Sequence, residues 1–195
     1  MTKLNNLDIM GLLQEHGAIL NGHFQLPGGY HSQMYIQTSL VMQYPHIAHK
    51  IAKAMSDKFK SSVDVVLAPG GATVVVGQEL ARVKKARSIF VENVEGKMIL
   101  KRNFVLKPGE KVLIADDVVT RGGRVKKAIA LAKRYGAKVV GVCAIIDRSD
   151  DTLSLNVPIR ALLSYPLTIY PPNKCPLCKS KLPITVPGSP LKAKK

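Results

Sequence analysis

The chain has no tryptophan, three cysteines, and 13 acidic residues against 29 Lys and Arg in a length of 195. Each shortage excludes something. Three cysteines cannot build the disulfide framework of a small secreted domain. Aromatic residues make up 5% of the chain and none interleaves with the basic clusters, so the stacking platform of a single-strand nucleic-acid binder is missing. No run of about 18 apolar residues occurs, which excludes a membrane-spanning helix. The opening MTKLNNLDIMGLLQEHG lacks the apolar core and small-residue cleavage site of a secretory signal. A cytoplasmic protein is the expectation.

The scarcity of acid leaves a net charge of +16. Such a charge attracts nucleic acid or concentrates a small multiply charged anion. The basic residues are scattered in pairs such as Lys84-Lys85 and Lys126-Lys127 and close with Lys192 to Lys195, read as a solvated tail. That dispersion favours a small anion, with nucleic acid left as an open second partner.

A hydrophobic content of 46% in this length supports one sizeable core. Cys143 lies in the apolar run VVGVCAII and reads as a core residue. Cys175 and Cys178 form CPLC. One CxxC is half of a zinc site, and no second Cys or His pair lies near it in sequence, so the expectation is a structural turn, with a dimer as the other way to complete a site.

From residue 46 to 147 helical and strand patterns alternate. Pro45 opens a helix over 46–60, residues 63–67 form a strand, 73–83 a helix and 87–92 a strand. NVEGKMILKR, residues 93–102, reads as a β-hairpin or a mobile loop. This order predicts an α/β fold with a mostly parallel sheet covered on both faces. Ahead of it, residues 5–17 read as a helix ended by Gly17, His23 begins an extended segment, Pro27-Gly28-Gly29 is a turn, and Met34 to Ile36 is a short strand. The Pro-rich stretch from Pro158 to Pro190 reads as too broken for regular structure. The expected organisation is one domain over 1–195, with a hood segment at 1–45, an α/β core at 46–150 and a cap and basic tail at 151–195.

The chemistry concentrates in Val112 to Val125, VLIADDVVTRGGRV. An apolar strand, Val112 to Ala115, ends in Asp116 and Asp117 and leads through a Gly-containing turn into an amphipathic helix from Val125 to Tyr135. In open α/β sheets the carboxyl ends of strands are where ligands bind, and amides at a helix start attract phosphate. The acid pair supplies hydroxyl acceptors or a metal anchor. Taken in this order, the parts suit a sugar phosphate. A Gly-Gly pair by itself signals only a tight turn.

These residues resemble the type I phosphoribosyltransferases, and within them the orotate phosphoribosyltransferases. GHFQLPGGYHSQMYIQTSLVMQYP is similar to the amino-terminal hood, FVENVEGKMILKRNF to the mobile catalytic loop, and YPPNKCPLCKSKLPITVPGS to the carboxyl-terminal tail of a bacterial and archaeal subgroup. The resemblance implies transfer of a 5-phosphoribosyl group from phosphoribosyl pyrophosphate to orotate, with Mg²⁺, in pyrimidine nucleotide synthesis. It implies catalytic roles for Asp116, Asp117 and Lys97. The donor would lie along Asp116, Asp117, Val118, Val119, Thr120, Arg121, Gly122, Gly123 and Arg124, with Lys101 and Arg102 closing over the pyrophosphate. Thr120 and Arg148 match the positions that contact orotate. No residue is implied as a direct metal ligand: the Mg²⁺ would travel on the donor, with Asp117 as its nearest protein group. A homodimer is implied as well.

Four ligand loops depart from the family pattern. Arg121 and Arg124 replace hydroxyl residues in the central turn, Ala72-Thr73 stand where the pyrophosphate loop has two glycines, Asn93 replaces an arginine, and Pro27-Gly28-Gly29 replaces a polar Ser-Gly turn. Two further readings therefore stay open: a phosphoribosyltransferase for another base, and a weakened homologue that binds nucleotide or nucleic acid as a regulator.

Overall fold

The computed structural model describes residues 7–26, 28–150, 152–166 and 168–187. The lysine tail from Lys192, the start of the first helix before residue 7, and Pro27 of the hood turn lie outside the described residues.

The chain opens with α1 (Ile9–Glu15), capped by the Asp8 carboxylate accepting from the Gly11 amide. An antiparallel hairpin follows, β1 (Ile19–Gln25) and β2 (His31–Ile36), then the single turn α2 (Ser39–Met42). The strand expected from His23 thus begins at Ile19, because Leu20 and Asn21 already pair with Tyr35 and Met34.

The core alternates α3 (Pro45–Lys58), β3 (Val65–Ala68), α4 (Thr73–Lys84) and β4 (Arg87–Phe90). A small antiparallel hairpin, β5 (Glu92–Val94) and β6 (Lys97–Ile99), interrupts the alternation before β7 (Lys111–Val119), α5 (Gly123–Arg134) and β8 (Lys138–Asp147). The hairpin reading of residues 93–102 holds. One expected boundary shifts. The strand from Arg87 ends at Phe90, because the Val91 amide turns to the Ala68 carbonyl and Glu92 starts the hairpin.

A larger correction concerns the end of the chain. Residues after Pro158, expected to lack regular structure, form β9 (Ile159–Ser164), which pairs parallel to β8 from Val142↔Ile159 to Asp147↔Ser164. Pro158 is tolerated because it precedes the first strand residue and β9 is an edge. The α/β core therefore continues past residue 150. A short 3₁₀ turn (Pro172–Lys174) and α6 (Pro176–Lys179) come last.

The main sheet has the order β4-β3-β7-β8-β9, all parallel. Strand alternation sorts its residues onto two cores. Val66, Leu113 and Ala115 pack with α1, α2, α3 and α4, whereas Val65, Leu67, Val112 and Ile114 pack with Val125, Ala128, Ile129 and Ala132 of α5. Both faces are covered, as near-continuous apolar strands require. From β3 the chain moves to one edge and from β7 to the other, so the strand order reverses between β3 and β7. A crevice opens at such a reversal, outside the carboxyl ends of the strands.

The hood does not stand apart. Thr185 bridges Phe24, with the Gln25 amide donating to the Thr185 carbonyl and the Thr185 amide to the His23 carbonyl, while His31 and Tyr170 exchange two backbone hydrogen bonds. The last described segment thus extends the β1–β2 hairpin on both of its edges.

Candidate functional site

Four loops meet at the strand reversal. One follows β3 at Pro69 to Ala72, one is the β5–β6 hairpin after β4, one follows β7 at Thr120 to Gly122, and one follows β8 at Arg148. The first is a tight turn with both Gly70 and Gly71 at positive φ. A Cβ on Gly70 would sit 2.6 Å from the Val91 carbonyl oxygen, so the backbone there admits no side chain. The turn expected at Gly70-Gly71 is present, and Thr73 locks it by donating its hydroxyl to the Gly70 carbonyl at 2.8 Å. Ala72 is the first residue of the helical path into α4, not part of the open turn.

The acid pair lies inside β7, where Asp116 pairs with Ala144 and Val118 with Ile146. The expectation that the strand ends at the carboxylates is corrected: β8 runs alongside as far as Asp147, and the ladder continues while partners are offered. Asp116 is 1% exposed. Asp117 lies on the α2 side, where the Thr38 hydroxyl donates to Oδ2 at 2.7 Å and the Val118 amide donates to Oδ1 at 2.8 Å. Arg124, the second residue of α5, reaches back across the loop. Its guanidinium donates to Asp116 Oδ1 and to Asp117 Oδ1, the latter at 2.8 Å.

These contacts separate the two acids. Burial, reinforced by the neighbouring Asp117, pushes the Asp116 carboxyl well above the usual carboxylate range. Burial acts on Asp117 too, but Arg124, the hydrogen bond with Asp116 and the Thr38 hydroxyl outweigh it and hold Asp117 below that range. Asp117 is the carboxylate that keeps its charge. Tyr35, on β2, faces the same corner: burial and the Asp117 charge push its phenol up, so it remains a neutral donor.

In the turn after β7, Gly122 has φ +69 and begins α5, and a Cβ on it would strike Leu153 at 2.5 Å. α5 starts just past the carboxyl end of β7, so its first-turn amides and the positive end of its dipole lie on that side of the sheet. Arg121 points away from the acids and stacks over the Tyr30 ring of the hood, its guanidinium carbon 4.2 Å from the ring centroid. The two turn arginines thus have separate tasks, one tying the hood and one gripping the acids.

Arg148 is 7% exposed, and its Nε and one terminal nitrogen have no hydrogen-bond partner among the described residues. Burial lowers the proton affinity of this guanidinium, with Tyr165 opposing. A buried fork of donors left bare is able to pair with a planar anion.

The hairpin cations lie elsewhere. Lys101 and Arg102 both pair with Glu92, at 3.5 and 2.8 Å, and Lys97 is exposed on β6. The hairpin tip rests on α5 through Lys127 Nζ donating to the Gly96 carbonyl at 3.0 Å. Asp116, Asp117 and the turn to Arg124 are therefore brought together, whereas Lys97, Lys101 and Arg102 have no bond to the acid pair among the described residues. Thr38, Tyr30 and Tyr35 join the site without having been singled out as site residues. Their signal is tertiary, because Thr38 lies 79 residues from its partner.

Comparison with known proteins agrees with this architecture. Residues 38–163 match the family model described as a phosphoribosyl transferase domain. An orotate phosphoribosyltransferase of Caldicellulosiruptor saccharolyticus is 40% identical over 187 residues, covering 95% of this chain and 98% of that protein. One of Thermotoga maritima is 42% identical over 182 residues, covering 93% and 97%. Among solved structures, the orotate phosphoribosyltransferase of Aeropyrum pernix superposes with a TM-score of 0.63 at 18% identity, over 79% of this chain and 92% of that one, which speaks to the fold. The chain belongs to the phosphoribosyltransferase family and, within it, to the orotate phosphoribosyltransferases.

Proposed function

We propose that the chain transfers the 5-phosphoribosyl group from phosphoribosyl pyrophosphate to orotate, giving orotidine 5′-monophosphate and pyrophosphate in pyrimidine nucleotide synthesis. The observation that carries this reading is the conjunction of an acid pair split in proton affinity, a helix start beside it, and the bare buried guanidinium of Arg148. A bond forms between N1 of orotate and C1 of the ribose as N1 gives up its proton to solvent, and the C1–oxygen bond breaks with its electron pair leaving on pyrophosphate. Positive charge develops on the ribose ring, so charge placement dominates the barrier. Asp117, held ionised, faces that charge. Asp116 and Asp117 receive the ribose hydroxyls, and the amides from Val118 to Arg124 receive the 5-phosphate. Arg148 takes the orotate carboxylate, with Thr120 beside it. Lys97, Lys101 and Arg102 close over the pyrophosphate.

Mg²⁺ suits this corner, since the ionised Asp117 carboxylate supplies a hard oxygen donor of the kind it takes. Carried in on the diphosphate, the ion would supply neutralisation of charge on the leaving group. Asp117 is the residue that would reach it, because its carboxyl is the one held charged.

A homodimer is part of the proposal. The β5–β6 hairpin pairs its cations with its own Glu92 and leans on α5, which leaves Lys97 exposed for a neighbouring subunit's crevice. We place the protein in the cytoplasm; no helix among the described residues is long and apolar enough to cross a membrane.

One observation favours a second reading. Arg124 occupies both carboxylates that the ribose hydroxyls need, as a weakened, ligand-binding homologue would have it. Loss of orotate absorbance with Mg²⁺, with and without phosphoribosyl pyrophosphate, separates the two. Consumption that requires the donor is expected. Donor binding without consumption of orotate would support the second reading, and consumption of another base would reassign the acceptor.

A further inference from the structure

The CPLC cysteines have the partners that sequence proximity denied them. His23 and His31, from the β1–β2 hairpin, approach Cys175 and Cys178 at the start of α6 and within it. One ligating atom from each of the four lies within 4.8 Å of the others. The second pair of donors, missing from the sequence around CPLC, is supplied by the opposite end of the chain, 152 residues away.

We infer that His23 Nε2, His31 Nδ1, Cys175 Sγ and Cys178 Sγ form a closed tetrahedral Zn²⁺ site that fastens the carboxyl-terminal segment to the hood. Zinc bond lengths of about 2.3 Å to sulfur and 2.0–2.1 Å to nitrogen set the edges of a tetrahedron at about 3.8 Å for S···S, 3.6 Å for N···S and 3.3 Å for N···N. The structure has 3.6 Å from Cys175 Sγ and 3.8 Å from Cys178 Sγ to His23 Nε2, 3.3 Å from Cys178 Sγ to His31 Nδ1, and 2.9 Å between the two nitrogens. These four edges lie within about 0.4 Å of tetrahedral size, and all four donor atoms lie within 4.8 Å of one another.

The surroundings fit a metal as well. His23 Nδ1 lies 2.7 Å from the Leu182 carbonyl oxygen. A carbonyl can only accept, so Nδ1 carries the proton and Nε2 turns its lone pair toward the cluster. That is the arrangement by which an outer partner orients a metal-bound histidine. His23, His31 and Cys175 are 2%, 4% and 1% exposed, which leaves no open position for a substrate and marks a structural site. Two thiolates with two imidazoles select zinc, in contrast with the hard oxygens of Asp116 and Asp117.

A site here would act on catalysis only through position. The same hairpin carries Tyr30, which stacks on Arg121, and Tyr35, which faces Asp117. Without a cation, His31 Nδ1–H donating to His23 Nε2 would fill the gap, and a Cys175–Cys178 disulfide is the other competitor.

Metal analysis of the untagged full chain, purified without chelator, tests this. About one zinc per chain is expected, falling to none in the Cys175→Ser, Cys178→Ser double variant. The measurement on the unaltered chain does not depend on that variant folding. Protein stripped with a chelator and loaded with Co²⁺ should show the visible absorption of a tetrahedral thiolate site. Its melting temperature should fall by roughly 5 °C or more on stripping and recover with Zn²⁺. Metal-free protein with two titratable thiols and no Co²⁺ spectrum would overturn the inference. A mass two hydrogens lighter, showing the disulfide, would overturn it equally.

Discussion

The Thr38 hydroxyl donates to Asp117 Oδ2 at 2.7 Å, joining the turn before α2 to the middle of β7. Thr38 is 3% exposed, so the bond is sheltered from water and helps keep Asp117 charged. Thr38→Val keeps the shape and removes the donor. Stability should fall by about 1–2 kcal/mol in urea unfolding, and the acidic limb of the activity profile should move to higher pH. An unmoved limb would separate Thr38 from the ionisation of Asp117.

Arg124→Ser returns a hydroxyl to the turn and takes the countercharge from both acids. Arg124 is 41% exposed on its side chain, so solvent screens the loss. A destabilisation of about 1–3 kcal/mol is expected, together with tighter binding of phosphoribosyl pyrophosphate if the guanidinium competes with ribose hydroxyls. Calorimetric titration of the donor against both proteins measures the second effect.

The two acids have opposite stability signatures. Asp116 has a raised folded pKa, so its contribution is fully present below the ordinary carboxylate pKa and is lost as pH rises through the folded value. Asp117 has a lowered one, so its contribution is present above the ordinary pKa and is lost as pH falls through the folded value. Asp116→Asn should therefore raise the melting temperature near pH 8 and have less effect near pH 4. Asp117→Asn should reduce turnover by roughly 10²-fold with a much smaller change in stability. Melting curves at the two pH values and initial rates decide both.

Arg148→Met removes a buried cation whose Nε and one terminal nitrogen lack partners among the described residues. Folding stability should hold or improve, because the desolvation of the charge disappears, while KM for orotate rises by about 10-fold or more. A loss of stability with unchanged KM would make Arg148 a structural residue.

Burial pushes the Cys143 thiol up to about 12, leaving almost no thiolate at neutral pH. Native protein should leave Cys143 unlabelled by an alkylating reagent until it unfolds, as peptide mass mapping would show.

Much of the scaffold was legible because its signals are local. Alternating apolar strands and helices, with Pro45 at a helix start and Gly70-Gly71 in a turn, lie within a few residues of the elements they define. β9 was not, because an edge strand of six residues after a proline carries little periodicity of its own and is specified by the open edge of β8. Asp116, Asp117 and the turn to Arg124 are contiguous and so could be read directly. The grip of Arg124 on both acids could not, since an arginine in a turn looks the same whether it faces phosphate, solvent or a carboxylate. Thr38 and the two hood histidines depend on contacts between distant parts of the chain.

The return of the last segment to the first hairpin has a consequence for synthesis on the ribosome. β1 and β2 emerge early, yet the residue that bridges Phe24 is Thr185, and the cysteine beside His23 is 152 residues downstream. At ~5–20 residues per second, that interval is on the order of 10 s or longer. Throughout it the nascent chain holds an unfinished hood above a growing sheet, so the hood is completed among the last acts of translation, and products truncated before Tyr170 lack both of the contacts on its edges.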